Sequence, residues 1–444
     1  MAQPITPAAG GKIKFIILDP GHFHAALVQK YKSAGVSDTV MVYAPPGEGV
    51  EDYLALIEKY NSRAADATNW KEIVYTGKDY FEKMLAEKAG NVVVIAGNNK
   101  LKATYIEKSL KAGLHVLADK PLAISAEDFS TLKNAFQYAG ENGLLLYDIM
   151  TERFNVLNII LRHLLADKMI FGLPVKGNEK EPAISISSVH HFYKEVSGSP
   201  LRRPAWFFDI HQQGDGMVDV STHLVDIIQW LYFPNTTIDF KKDIHIQSAK
   251  RWATKIDLQQ FKKVTRTGAY PAFLNDAVTD NILHVYSNSN ISYSIKGYSA
   301  KVAEKWNFEA PPGTGDLYHL QAKGTKANLV VEQGKEQNYV PALYIVPAGN
   351  EPSAVWEESL KLTFIKLDKI YPGISLQLEK GRWKVIVPPA YTTGHEAQFS
   401  MVAEQFFNYL QEGKLPSWEI SFMLAKYFTT TASLAKALEG EKRK

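Results

Sequence analysis

The sequence predicts a doubly wound α/β domain over residues 12–150, followed by an α+β domain over 151–444 with a large, mainly antiparallel open sheet. Three observations carry this reading. Short, almost wholly apolar runs alternate with helical segments through the first third, as expected of parallel strands buried on both faces. After Tyr147 the strands turn to polar/apolar alternation, as expected of a sheet with one face on a core. Two amphipathic helices over 396–440 finish the chain.

The first strand is Ile13–Leu18, punctuated by Asp19-Pro20-Gly21, and His22–Tyr31 continues with helical spacing. Thr39–Tyr43 is a second strand, stopped by Pro45-Pro46-Gly47. Glu51–Tyr60 is helical, Ile73–Tyr75 a short strand and Asp79–Ala89 a further helix. Asn91–Ala96 is a buried strand, and the helix Lys102–Ala112 leads to the strand His115–Ala118. Ser125 and Asp128 stand in capping-box spacing before the helix Glu127–Asn142, and Leu144–Tyr147 closes the series. Repeated βα units of this kind build a Rossmann-like parallel sheet with helices on both faces.

In the second domain, Asn155–Ala166 and Val218–Leu231 are helical. Strands are expected at Ala183–Val189, Thr279–Ser287, Ile291–Gly297, Asn328–Glu332, Leu343–Val346 and Leu360–Ile365. Asn288-Ser289-Asn290 sits between two of these like a hairpin turn. Phe399, Val402, Phe406 and Leu410 line the first closing helix; Met423, Tyr427, Leu434 and Leu438 line the second.

Composition narrows the function classes. A chain of 444 residues is long enough for two substantial cores. With 45% hydrophobic and 22% charged residues, it reads as a soluble globular protein. A net charge of +3, with lysines scattered among glutamates, makes no case for nucleic acid. No apolar run approaches the ~20 residues that span a bilayer, so no membrane partner is expected. The absence of cysteine removes disulfides and thiolate chemistry together. Residues 1–11, MAQPITPAAGG, read as a flexible start. That start also suits a mature exported chain, leaving cytoplasm and periplasm both open with a lean to export.

The loop after the first strand, Asp19-Pro20-Gly21-His22-Phe23-His24, stands where a dinucleotide-binding chain carries G-x-G-x-x-G. Gly21 keeps the middle glycine, which lets backbone approach a pyrophosphate; Asp19 and His24 replace the outer two. Asp19, His22 and His24 are also metal-capable residue types. Side chains around so tight a turn need not converge, however, and no metal is expected. At the end of the second strand, Ala44-Pro45-Pro46-Gly47-Glu48 stands where a carboxylate takes the ribose hydroxyls: Glu48 is the nearest acid, and no arginine is there for a 2′-phosphate. NAD is the expected cofactor, with NADP not excluded.

Two segments carry the chemistry. In Gly113–Ala123, GLHVLADKPLA, the strand ends at the expected nucleotide crevice with Asp119, and Lys120 follows at once. An ammonium there binds a substrate hydroxyl and favours its alkoxide-like transition state. In Gly214–Leu231, GDGMVDVSTHLVDIIQWL, Asp219 and His223 are four apart on one helix face, while Val220, Leu224, Ile227 and Leu231 face the core. An imidazole there accepts a hydroxyl proton near neutral pH. Alone, a Lys-Pro dipeptide or an i,i+4 Asp–His pair is more often solvated surface.

Together the two segments resemble the Gfo/Idh/MocA oxidoreductase family. The first is similar to its G-K-H-V-L-x-E-K-P-L-A signature, with Asp119 in place of Glu. The second is similar to its G-G-G-x-x-x-D-x-G-x-H-x-x-D, with Asp219, His223 and Asp226 in register and Thr222 at the lost glycine. Gly97-Asn98-Asn99 stands at the family's T-P-N turn, with Lys102 replacing its histidine; Arg153-Phe154-Asn155 matches the R-F-N opening the second domain. The resemblance implies catalytic roles for Lys120, Asp219 and His223. It also implies cofactor contacts from Asp19, Gly21, His22, Phe23, His24, Asn98, Asn99, Asp119 and Lys120.

Arg153, His190, His191, Tyr193, Trp206 and His211 are the expected substrate contacts, since aromatic faces pack on sugar C–H groups while polar side chains read hydroxyls. The expected activity is nicotinamide-dependent oxidation of a secondary hydroxyl on a sugar, glycoside or cyclitol, by a homo-oligomer. Two alternatives stay open: a redox-neutral glycosidase or epimerase with retained NAD, and a non-catalytic sugar-binding or regulatory relative.

Overall fold

The computed structural model describes residues 12–196, 199–349 and 352–443. The expected flexible start over 1–11 lies outside the described residues. The chain divides into two compact units, 1–154 with 394–427, and 155–393 with 428–444. Residues 394–427 therefore group with the first unit, where sequence placed all of 396–440 with the second.

The first unit holds β1 (Phe15–Leu18), α1 (His24–Leu27), β2 (Thr39–Ala44), α2 (Glu48–Ser62), β3 (Lys71–Thr76) and α3 (Tyr80–Glu87). It continues through β4 (Val92–Ile95), α4 (Lys102–Lys111), β5 (His115–Asp119), α5 (Ala126–Glu141) and β6 (Leu146–Ile149). All six strands are parallel, in the order β3-β2-β1-β4-β5-β6. The order reverses between β1 and β4, which opens a crevice beyond their carboxyl ends. β1, β4, β5 and the edge strand β6 are wholly buried, β1 and β4 as unbroken apolar runs; β3, at the opposite edge, is mostly exposed.

α1 stops at Leu27, well short of the helical stretch predicted to Tyr31. Beyond Leu27 the backbone tightens: Gln29 N–H bonds to Ala26 O at 3.0 Å and Lys30 N–H to Leu27 O at 3.2 Å, three residues back instead of four. The Gln29 and Lys30 carbonyls are in turn taken by Trp70 Nε1 at 2.6 Å and Arg63 Nη2 at 2.5 Å.

His115 opens β5 at 1% exposure, and its Nδ1 accepts the Leu145 N–H at 3.0 Å. Burial lowers its pKa to about 4. The folded value lies below the unfolded one near 6.5, so the neutral ring contributes stability above pH 6.5 that is lost as pH falls towards 4. The full loss is about 3 kcal/mol. Urea unfolding between these pH values should show a shallower decline in His115→Gln; an unchanged slope refutes the assignment.

The second unit contains α6 (Val156–Ala166), β7 (Ile184–Tyr193), α7 (Val220–Tyr232), β8 (Ile244–Asp257), α8 (Leu258–Thr265), β9 (Ile282–Ile295) and β10 (Tyr298–Glu309). Then come β11 (Leu317–Lys323), β12 (Ala327–Gln333), β13 (Ala342–Pro347), α9 (Ala354–Asp368), β14 (Ser375–Glu379) and β15 (Arg382–Ile386). These strands, with Val278–Thr279 paired to β9, form a ten-stranded sheet among the described residues. Its order is β8-β9-β10-β7-β11-β12-β13-β15-β14, antiparallel except where β7 pairs with β10.

Two expectations are corrected here. Asn288-Ser289-Asn290 is not a turn but the middle of β9, paired with Trp252, Arg251 and Lys250 of β8. Asn288 is consumed at a register shift, donating to Trp252 O and Thr254 Oγ1 and accepting from Trp306 N. The turn lies at Lys296-Gly297, both at positive φ (48° and 82°), as a two-residue hairpin needs. Leu360–Ile365, expected as a strand, belongs to α9. Ser353 caps that helix through Trp356 N, and Trp356, Leu360, Phe364 and Leu367 form its buried face at spacings of four and three.

The last helices are α10 (His395–Glu412) and α11 (Ser417–Lys442), and the division between units falls within α11. In the first unit, Phe399, Phe406, Met423 and Tyr427 join the core of the parallel sheet, with Phe406 stacked on Tyr147 at 6.0 Å. No helix among the described residues is long and apolar enough to cross a membrane.

Candidate functional site

The β1–α1 loop of the first unit is drawn tight. Asp19 adopts φ +50°, its N–H bonds to Tyr43 O, and Gly21 N donates to Asp19 O at 2.8 Å. A Cβ on Gly97, at the end of β4, would lie 2.3 Å from Asp19 O; one on Gly49 would lie 3.2 Å from Gly21 Cα. Glycine is therefore needed where these loops touch backbone to backbone. Burial raises the Asp19 carboxyl pKa against an opposing hydrogen bond from Tyr105.

Asp119 ends β5 at 5% exposure and faces two imidazoles. His24 Nδ1 lies 2.8 Å from its Oδ2, and His22 Nδ1 3.7 Å. Burial pushes the Asp119 carboxyl up, but His24, Lys102 and His22 outweigh it and hold the group well below the usual carboxylate range. Lys102, 1% exposed, donates from Nζ to Asp119 O at 2.8 Å. The lysine that replaces the family histidine thus anchors the strand end before Lys120, which is half-buried.

Asn98 accepts Lys100 N–H in a local turn, Asn99 is buried and Phe23 is exposed. Side-chain-free backbone at Gly21, two amides, a carboxylate and an ammonium at adjoining strand ends fit the pyrophosphate and ribose of a dinucleotide. Arg153, expected at the substrate, is buried in the first unit and pairs with Glu419 at 2.7 Å.

In the second unit, Asp219 is the N-cap residue of α7, and its Oδ2 accepts from Gln213 Nε2 at 2.9 Å. His223 follows one turn later, half-buried. The helix start is held by Glu304, whose Oε2 accepts from Ser221 N (3.0 Å) and Oγ (2.9 Å), while Oε1 accepts from Trp306 Nε1. Gly216 makes the approach to α7 possible: its N–H bonds to Tyr286 O, and a Cβ there would lie 2.2 Å from Ser287 O.

β7 brings His190 and His191 to Asp316, at 3.5 and 2.8 Å, with Lys194 at 2.9 Å. Burial raises the Asp316 carboxyl, but His190 and Lys194 hold it well below the usual range. The His190 ring packs on Trp306 at 5.2 Å. Arg203, 8% exposed, lies over Trp306 and donates to the carbonyls of Phe192 and His191. Burial lowers the guanidinium to about 10, against the pull of Asp219 and Asp316.

Tyr193 stacks instead on Phe308, under Lys263; Trp206 packs against the aromatic core cluster, and His211 is exposed. Sequence reasoning missed Lys194, Arg203, Glu304 and Asp316. None sits in a recognisable motif, and Asp316 lies 125 residues from the histidine it holds.

A parallel sheet with its switch point at a glycine loop, in a chain that also carries an α+β unit with an Asp/His helix, defines a dinucleotide-dependent oxidoreductase. Residues 40–145 match the model described as "Oxidoreductase family, NAD-binding Rossmann fold", and 160–438 match "Putative oxidoreductase C terminal domain". The chain belongs to the Gfo/Idh/MocA oxidoreductase family. A solved structure described as a "putative oxidoreductase" from Parabacteroides merdae is 48% identical, with a TM-score of 0.96 over 99% of this chain and 100% of that one. D-xylose 1-dehydrogenase (NADP(+)) 2 of Haloferax volcanii is 27% identical over 134 residues, 30% of this chain and 40% of the relative's length. A levoglucosan dehydrogenase, solved with NADH and levoglucosan, shares the fold at TM-score 0.59 and 13% identity, over 96% of this chain and 98% of that one.

Proposed function

We propose that this protein oxidises a secondary hydroxyl of a sugar, glycoside or cyclitol, with NAD or NADP as the acceptor. The observation that carries the reading is the polar ring of the second unit: Asp219 with Gln213, and His190, His191 and Lys194 on Asp316, beside the Trp306 ring. Such a mixture of donors, acceptors and an aromatic face suits a polyhydroxylated substrate. Two of the similar proteins bear the names of sugar dehydrogenases, which supports the same class.

In this reading Lys120 binds the reacting hydroxyl and stabilises its developing negative charge. His223 accepts the hydroxyl proton as the carbon loses hydride. Asp219 holds a neighbouring hydroxyl, and Gln213 orients Asp219. A nicotinamide cofactor, when bound, would supply the hydride-accepting chemistry. Asn98, Asn99 and the Gly21 backbone hold the dinucleotide, and the protein works as a homo-oligomer.

The test is mass analysis of nucleotide released on denaturation, then a screen of monosaccharides, glycosides and inositols for NADH or NADPH formation. Stoichiometric nucleotide reduction by one of these substrates is expected. Substrate turnover without net reduction moves the assignment to a redox-neutral enzyme, and the absence of both nucleotide binding and turnover overturns it.

A further inference from the structure

We propose that His22, His24 and Asp119 form a site for one divalent transition-metal ion of the zinc, cobalt or nickel class. The three residues each offer a ligand atom, and these atoms lie within 4.8 Å of one another. Asp119 Oδ2 is the common point, 2.8 Å from His24 Nδ1 and 3.7 Å from His22 Nδ1. Ligand atoms about 2.0–2.2 Å from a tetrahedral ion stand roughly 3.4 Å apart, between those two separations. Small side-chain rotations therefore bring all three onto one ion.

The frame behind them is rigid. Asp119 ends a buried central strand, with its carbonyl held by Lys102 Nζ. His22 N–H bonds to Ala96 O, and Gly97 lets the two loops touch. The tight turn sets the two imidazole rings edge to face, 4.1 Å apart, instead of splaying them.

Two imidazoles and one carboxylate suit zinc, cobalt or nickel better than magnesium or calcium, which prefer oxygen ligands throughout. Side-chain exposures of 22%, 12% and 8% for His22, His24 and Asp119 leave His22 and His24 partly open to solvent, from which water would complete a tetrahedral set. On its far edge, His24 Nε2 lies 3.3 Å from His395 Nε2. A ring that ligates through Nδ1 carries its proton on Nε2, and His395 is placed to accept it, the outer-shell bond that orients ligating histidines.

The test uses the full chain, stripped with chelator and titrated with Co2+ while visible absorption is recorded. About one equivalent of bound Co2+ is expected, with ligand-field bands that Zn2+ displaces. His22→Gln and His24→Gln should each weaken Zn2+ binding by roughly tenfold or more. The exposed His245 serves as control, and His245→Gln should bind as the wild type does. Less than about one-tenth equivalent of Co2+ in wild type, or unchanged binding in both His22→Gln and His24→Gln, overturns the site. The wild-type stoichiometry decides even where a variant fails to fold. The site rests on the first unit alone, so absence of sugar oxidation leaves these outcomes unaffected.

Discussion

His223→Ala is expected to lower turnover by about 10²–10⁴-fold, the usual contribution of a positioned general base. His223 lies on α7 one turn after Asp219 and is only partly buried, so removing the ring leaves no large cavity. The helix itself should persist: Glu304 holds its first turn through Ser221, and alanine is the better helix former. The residues proposed to hold the dinucleotide all belong to the first unit, so nucleotide affinity should stay within about twofold. Steady-state kinetics on the best sugar, beside NAD titration by fluorescence, checks both numbers. Equal losses in turnover and in nucleotide affinity would show that His223 supports structure and not proton transfer.

Arg153→Ala is expected to destabilise the protein by about 3–5 kcal/mol, the cost of breaking one side of a buried ion pair. Arg153 and its partner Glu419 have side-chain exposures of 6% and 3%. Tyr147 and Tyr409 donate to the other carboxylate oxygen at 3.2 and 3.4 Å, and the guanidinium lies over Trp418 and Phe422. Removing the arginine leaves a carboxylate in a site with two hydroxyl donors and no facing guanidinium. Against a typical total of about 5–15 kcal/mol, that loss is a large fraction. Urea unfolding of Arg153→Ala and Arg153→Lys reads it, with the lysine variant losing less. An unchanged midpoint together with a raised KM would return Arg153 to the substrate.

The parallel sheet was legible because each central strand is buried on both faces and announces itself as an apolar run. The Asp219–His223 pair was legible because four-residue spacing puts both on one helix face. The environment of Asp119 was not. Its partners His22, His24 and Lys102 come from the β1–α1 loop and α4, and nothing local in any of these segments points to the others. The turn carrying His22 and His24 looked too tight for convergence, yet the strand beside it supplies the carboxylate that gathers both rings.

Asp316 was silent for the same reason, since it lies in a Pro/Gly-rich loop with no periodicity. Leu360–Ile365 misled because short apolar runs fit either secondary structure, and the cap at Ser353 and the packing of Trp356 decided for helix. The early end of α1 was equally hidden, because residues 22–31 keep helical spacing while the backbone after Leu27 tightens to three-residue bonds.

By itself, then, the sequence determined the order of βα units, the family signature over Gly113–Ala123 that carries Lys120, and the helix bearing Asp219 and His223. These depend on periodicity and on residues adjacent in the chain. Only the tertiary structure decided which side chains surround Asp119 and Asp316, that Arg153 pairs with Glu419, and that residues 394–427 complete the first unit's core. Those outcomes depend on contacts between segments far apart in sequence, whose geometry is set when the sheets pair and bury their faces.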